Sequence, residues 1–186
     1  MRRGLLVASA IVATFAAHPT LAADDASNQA TIRRCILAAA DAYREPPAVL
    51  VVLLDVEGGS PGAVSRNTNG TVDIGPMQVN QVWLPVVAAH WHATLADTWQ
   101  ALRDDFCANI EAGAWILRRS LDAAHGDFWE GVGYYHSHDP EHKATYLRAV
   151  LRQVLRLRAL TDRAASRLPQ TPASEPAGSA VLAAGN

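Results

Sequence analysis

The stretch VEGGSPGAVSRNTNGTVDIGPMQVN, Val56 to Asn80, decides how the rest of the chain is read. It continues a very apolar run, AVLVVLLDV, that starts just after Pro46-Pro47, and proline suits the first turn of a helix. Gly58-Gly59 and Pro61-Gly62 stop that helix abruptly, which leaves Glu57 as a carboxylate at its end. Val64 to Ile74, VSRNTNGTVDI, reads as two short strands flanking Asn69-Gly70, a turn dipeptide whose two central residues take positive φ. Gly75-Pro76 then opens a further helix carrying MQVNQVWL. Helix, acid, hairpin and helix in that order predict an α+β fold.

Outward from this stretch the chain is helical. Ser27 or Asn28 can cap a first helix that runs to about Tyr43. Asp104 or Asp105 can cap a long helix to about Ala124, in which Phe106, Ile110, Ala114 and Leu117 recur at helical spacing before Gly126 ends it. A helix over FWEGVGYY, a loop HSHDPEH and a last helix complete the body. The last helix places Leu147, Val150, Leu151, Val154 and Leu155 on one face and Arg148, Arg152 and Arg156 on another. An arginine stripe of this kind reads first as a solvated face. Predominantly α-helical α+β is the fold class expected.

Composition bounds the function. The chain has 186 residues, 49% apolar and 18% charged, enough for one core and too apolar for wholesale disorder. Its formal charge of −2 lacks the footprint of a nucleic-acid binder. Residues 1–23, MRRGLLVASAIVATFAAHPTLAA, have the layout of a secretory signal with cleavage after Ala22 or Ala23. The apolar run Gly4 to Ala17 is short of the roughly 20 residues that span a bilayer. The expected organisation is a signal peptide over 1–23, one domain over 24–163, and an Ala/Ser/Pro/Gly-rich disordered tail over 164–186. Export to the periplasm or cell envelope, with no membrane span after cleavage, follows. In that compartment the lone pair Cys35 and Cys107 reads as a disulfide rather than a metal site or a nucleophile.

Glu57 is the chemistry candidate. On position alone it fits a helix-terminal surface glutamate; buried against apolar groups, its pKa would rise toward that of a general acid. Asp55 lies about 200° around the helix from it and should not share a cleft with it. Asp73, on the return strand, reads first as a turn-stabilising residue. Facing Glu57 instead, it would favour a hydrolysis with two carboxylates. His90-x-His92, His136, His138 and His142 do not repeat the helical ligand spacing, and no carboxylate or cysteine completes a set. No metal and no cofactor is assigned. Met77 and the tryptophans Trp83, Trp91, Trp99, Trp115 and Trp129 read as core.

Glu57, Pro61, Ser65 and then Gly75-Pro76-Met77-Gln78-Val79-Asn80 resemble the lytic transglycosylase (SLT) family of the goose-type lysozyme-like superfamily. The combination of N-x-N-G, Asp73 and G-x-M-Q-x-N is most similar to the small members that accompany conjugation, pilus and secretion machines. Two later blocks agree in order: Cys107-Ala108-Asn109-Ile110 with Gly113-Ala114-Trp115-Ile116-Leu117, then Gly133-Tyr134-Tyr135-His136-Ser137 with Tyr146-Leu147-Arg148-Ala149-Val150. The likeness covers residues 33–152. Gly58 stands where the family more often has Ser, and His136 where it has Asn. The resemblance implies a lysozyme-like domain with Glu57 as the catalytic residue. Ser65, Gln78, Asn80 and Tyr135 would line the cleft, and Cys35 would pair with Cys107. It implies peptidoglycan glycan strands as substrate, cut between N-acetylmuramic acid and N-acetylglucosamine with a 1,6-anhydro product. Components of a trans-envelope machine would be partners. A hydrolytic muramidase and a non-catalytic glycan-binding subunit are the alternatives.

Overall fold

The computed structural model describes residues 20–167. The chain order is α1 (Thr20–Tyr43), α2 (Pro47–Glu57), β1 (Val64–Arg66), β2 (Val72–Ile74), β3 (Val79–Asn80), a 3-10 turn (Gln81–Trp83), α3 (Leu84–Trp91), α4 (Leu95–Asp104), α5 (Phe106–Ala123), α6 (Phe128–His136) and α7 (Pro140–Ala165). Helices predominate around one small antiparallel sheet of order β1-β2-β3, the α+β class expected. Among the described residues no helix is long and apolar enough to cross a membrane. Of the expected signal peptide, residues 1–19 lie outside the described residues, as does the expected tail from residue 168 onward.

Capping explains most boundaries. Asp105, Asp127 and Asp139 each turn a carboxylate back onto the first free N–H groups of α5, α6 and α7. Pro47 is the first residue of α2. Ser27 and Asn28 do not start α1, which begins at Thr20; with helix-forming alanines on both sides they sit in its interior.

The segment after Gly75 is not the helix the sequence suggested. Gly75 and Gln78 both adopt positive φ, +69° and +47°, so the chain reverses tightly there instead of winding on. Val79 and Asn80 then return as β3 opposite Ile74 and Asp73, and a regular helix starts only at Leu84. The hairpin at Asn69-Gly70 also differs from the two-residue turn expected. Gly70 alone has positive φ, because the Asn69 side-chain oxygen accepts from the Thr71 N–H and hydroxyl and holds a wider loop from Asn67 to Thr71. On α7, Leu151 and Leu155 are exposed, and the inward stripe is Tyr146, Leu147, Val150, Val154 and Leu157. The 3.6-residue period carries the stripe one step around from the face read in sequence.

The core centres on α5, whose Ile110, Ala114, Ile116 and Leu117 are buried against Leu50 and Leu53 of α2, Met77 and Val132. Cys35 and Cys107 are joined, with their Cα atoms 5.1 Å apart, and tie α1 to the start of α5 across 72 positions. In the chain-entropy view a loop of that length stabilises by roughly 4 kcal/mol.

One buried side chain locks the turn to the core. Asn109 has no exposure. Its Nδ2 donates to the Ile74 and Leu102 carbonyls at 2.9 and 2.8 Å, and its Oδ1 accepts from the Met77 N–H at 2.7 Å. Substituting Asn109→Ala orphans three buried backbone groups at once, for an expected loss of roughly 3 kcal/mol or more. Melting followed by circular dichroism should show a drop of about 10 °C. A drop of only a degree or two would mean that water replaces the amide.

Candidate active site

α2 ends at Glu57 because Gly58 takes φ +62° and turns its N–H back to the Leu54 carbonyl at 3.1 Å. Any side chain at this position would be strained in that conformation. Glu57 therefore lines a cleft of about 680 Å³ formed by the end of β1, the hairpin loop, β2, β3, the 3-10 turn and the end of α6. The Tyr146 hydroxyl, reaching over from α7, donates to Glu57 Oε1 at 2.6 Å. That leaves Oε2 without a protein partner among the described residues and open to the cleft.

Burial pushes the Glu57 pKa from 4.5 up to about 7; the Tyr146 hydrogen bond pulls against this, and the charge of Asp73 adds to it. Desolvation wins. At neutral pH the carboxyl carries its proton about half the time, as a general acid must. The same burial, with Glu57 beside them, holds Tyr135 and Tyr146 well above the ordinary tyrosine range, so both hydroxyls stay protonated.

Asp73 belongs to the cleft wall as well as to the hairpin. Its two oxygens accept from Asn80 Nδ2 at 2.7 Å and Asn67 Nδ2 at 2.9 Å. It is held as a turn residue would be, and it faces the space that Glu57 faces. Asp55 points elsewhere, accepting from Gln153 Nε2 at 2.6 Å.

The sequence-derived residues separate into two groups. Gln78, Asn80 and Tyr135 line the cleft with Glu57. None of the three hydrogen-bonds the acid. Gln78 Nε2 donates to the Gly75 carbonyl at 2.7 Å and braces its own turn. Asn80 donates to Thr71 and Asp73 and caps the 3-10 turn through the Val82 N–H. The Tyr135 hydroxyl goes to the Met77 carbonyl at 3.0 Å, and its ring faces the cleft. Ser65 is not on the wall. It lies exposed on β1, the outer strand of the sheet, with β2 between it and β3.

Several residues of the site escaped the sequence reading, among them Tyr146, Trp83, Arg66 and Asn67. Tyr146 is the residue that reaches the acid, and the available signal was a tyrosine on the inward stripe of α7, whose buried hydroxyl requires a partner. Trp83, read as core, lines the cleft wall. The histidines serve separate ends: His90 bonds Tyr43 and stacks on Trp115, while His136 lies face to face on Tyr146 at 4.5 Å. Among the described residues no group of three or more His, Cys, Asp or Glu could hold a metal ion.

In comparisons with known proteins, the family described as "Transglycosylase SLT domain" matches residues 34–147, more than half of the chain. No curated protein matches it. The matched span contains Glu57, the cleft wall, both cysteines and Tyr146.

The raised pKa of Glu57 has a consequence for stability. Because the folded state holds this proton more tightly than the unfolded chain, the group favours folding below about pH 4.5 and withdraws that support as pH rises through about 7. Glu57→Gln removes the dependence. Its melting temperature should match wild type near pH 4 and exceed it at pH 8, by an amount approaching roughly 3 kcal/mol of stability. Parallel melting curves for the two proteins would refute the buried acid.

The Tyr146 hydroxyl is the group that restrains that rise. In Tyr146→Phe the pKa of Glu57 should climb further, so the alkaline limb of the activity profile moves to higher pH while the maximal rate falls. Tyr135→Phe should leave the limb in place, since its hydroxyl serves the Met77 carbonyl. Identical pH profiles for wild type and Tyr146→Phe would show that the hydrogen bond does not tune the acid.

Proposed function

The chain belongs to the transglycosylase SLT domain family, whose general activity is lytic cleavage of peptidoglycan glycan strands, and on that premise we propose that it cuts the β-1,4 bond between N-acetylmuramic acid and N-acetylglucosamine with Glu57 as the acid and base. The observation that carries this reading is a buried carboxyl of near-neutral pKa, one oxygen held by Tyr146 and the other open to the cleft.

Protonated Glu57 gives its proton to the glycosidic oxygen as the bond to the muramyl C1 breaks. Charge that develops on the ring is met by the sugar's own acetamido group. The carboxylate left behind takes the proton of the muramyl C6 hydroxyl, whose oxygen closes on C1 to give the 1,6-anhydro ring. Water is not the acceptor. Tyr135 and Trp83 supply apolar ring faces for the sugars, and Gln78 and Asn80 supply amides on the wall.

A second reading, hydrolysis as in a muramidase, is favoured by one observation. The Asp73 carboxylate stands on the same cleft wall as Glu57 and raises its pKa. In the transglycosylase reading Asp73 instead anchors Asn67 and Asn80 and adds negative potential near the oxocarbenium-like charge. Envelope export through residues 1–23, and local wall opening for a conjugation or secretion apparatus, belong to the same proposal. They rest on the leader-like sequence and on the N-x-N-G and G-x-M-Q-x-N motifs.

Digestion of purified cell wall, with products weighed by mass spectrometry, separates the readings. Anhydro-muropeptides, lighter by one water than their hydrolysed counterparts, are expected. Reducing muramyl ends would establish the muramidase, and absence of any release would leave a glycan-binding subunit. Glu57→Gln should lower release by about 10⁴-fold, the upper end of what general acid–base catalysis supplies. Near-wild-type turnover would remove Glu57 from the chemistry.

A further inference from the structure

A second hollow of about 480 Å³ opens off the catalytic cleft, the two sharing Trp83, Tyr135, His136 and Ser137. The annex adds Arg119 and His138 to that shared wall, with Asp122 at its edge. Where the main cleft carries Arg66 alongside two carboxylates, Glu57 and Asp73, the annex carries Arg119 alongside one, Asp122.

Arg118 and Arg119 are neighbours on α5 with opposite circumstances. Arg118 is spent on two carboxylates, Glu45 at 3.2 Å and Asp122 at 2.7 Å. Arg119 has no acidic partner among the described residues. Its guanidinium lies 5.0 Å over the ring of Trp115, which is itself stacked on His90 at 4.3 Å and in edge contact with Trp83. An aromatic shelf thus holds an uncompensated cation beside the cleft, and such a shelf limits the rotamer freedom lost on binding. Asp122, the carboxylate of this wall, is paired with Arg118 rather than with Arg119.

Amino sugars of the glycan strand are uncharged and give a guanidinium nothing to pair with. The muramyl residue, however, carries on its lactyl ether a short peptide with free carboxylates. We propose that the annex is a subsite for that anionic peptide stem, with Arg119 binding a stem carboxylate in the planar, two-pronged manner open to arginine. The inference rests on the peptidoglycan reading of the main cleft. It makes the enzyme one that distinguishes peptide-bearing from peptide-free strands.

Binding tests this without turnover. In the Glu57→Gln background, calorimetry would compare a muramyl tetrasaccharide carrying its stem peptides with the same tetrasaccharide stripped of them. The peptide-bearing form should bind about tenfold more tightly, the size of one charge-assisted hydrogen bond. Added Arg119→Gln should abolish that preference and change affinity for the stripped sugar less than twofold. Arg119→Glu should invert the preference. Arg119 is exposed, so both variants should fold, and their melting curves check this. Equal affinity for the two ligands, no binding of either, or an Arg119→Gln loss of equal size on both would each overturn the subsite. If the preference is found and wild-type enzyme still releases no anhydro ends, the catalytic reading fails and the subsite stands.

Discussion

The amide of Asn109 ties the end of β2 and the reversal that follows it to the end of α4. α4 ends at Leu102–Asp104, β2 ends at Ile74, and the reversal through Gly75 to Gln78 lies between sheet and core. Each presents a backbone group that would otherwise be buried without a partner, and Asn109 satisfies all three from the first turns of α5. The fit leaves no room. A Cβ on Gly75 would stand 2.3 Å from the Leu102 carbonyl and 2.4 Å from Asn109 Nδ2, and its φ of +69° independently favours glycine. From this lock follow the placement of Met77 in the core, the return of β3, and the presentation of Gln78 and Asn80 to the cleft. The disulfide a short distance upstream fixes the start of α5 against α1, so the helix that carries the lock is anchored at the same end.

Placing Glu57 at the end of α2 sets two opposing effects on one carboxyl. The helix is so apolar that its terminus is drawn into the body of the protein, and burial disfavours ionisation. A hydroxyl aimed at Oε1 favours ionisation, because it donates to the charged form more strongly than to the neutral one. A pKa of about 7 records the balance. Were the hydroxyl absent, the carboxyl would hold its proton more tightly and give it up less readily in the first step of the proposed reaction. Without burial, the carboxyl would be ionised at neutral pH and have no proton to give. The chemistry needs both, and they come from opposite ends of the chain, α2 and α7.

Those parts of this arrangement governed by local rules could be read from residues alone. Glycine and proline positions, aspartate caps and helical spacing located α2, α5, α6 and α7 and put Glu57 at a helix end. The Gly75–Asn80 segment misled because its residues favour a helix after Gly-Pro. The lock from Asn109, 32 residues later, overrides that preference. Ser65 was placed in the cleft by motif position. The fold brings Arg66, the last residue of β1, onto the wall and leaves Ser65 beside it exposed and off the wall. Tyr146 and Trp83 eluded the reading for a related reason. An aromatic residue at helical spacing looks the same whether it faces a core or a cleft, and the difference lies in what the fold brings opposite it.

His136 illustrates how such a site absorbs a departure from its family's pattern. An asparagine at this position would offer hydrogen bonds; the imidazole offers a flat face, lying parallel to the Tyr146 ring within 2°. Burial lowers the His136 pKa, with the charge of Asp73 opposing and that of His142 reinforcing the shift, so the ring is mainly neutral at pH 7. A neutral plate against Tyr146 restricts the phenol's rotation without placing a positive charge beside Glu57. A cation there would stabilise the carboxylate and lower the pKa that burial has raised. The histidine here stacks on the one residue that hydrogen-bonds the acid, so its contact with Glu57 is indirect, through the Tyr146 ring.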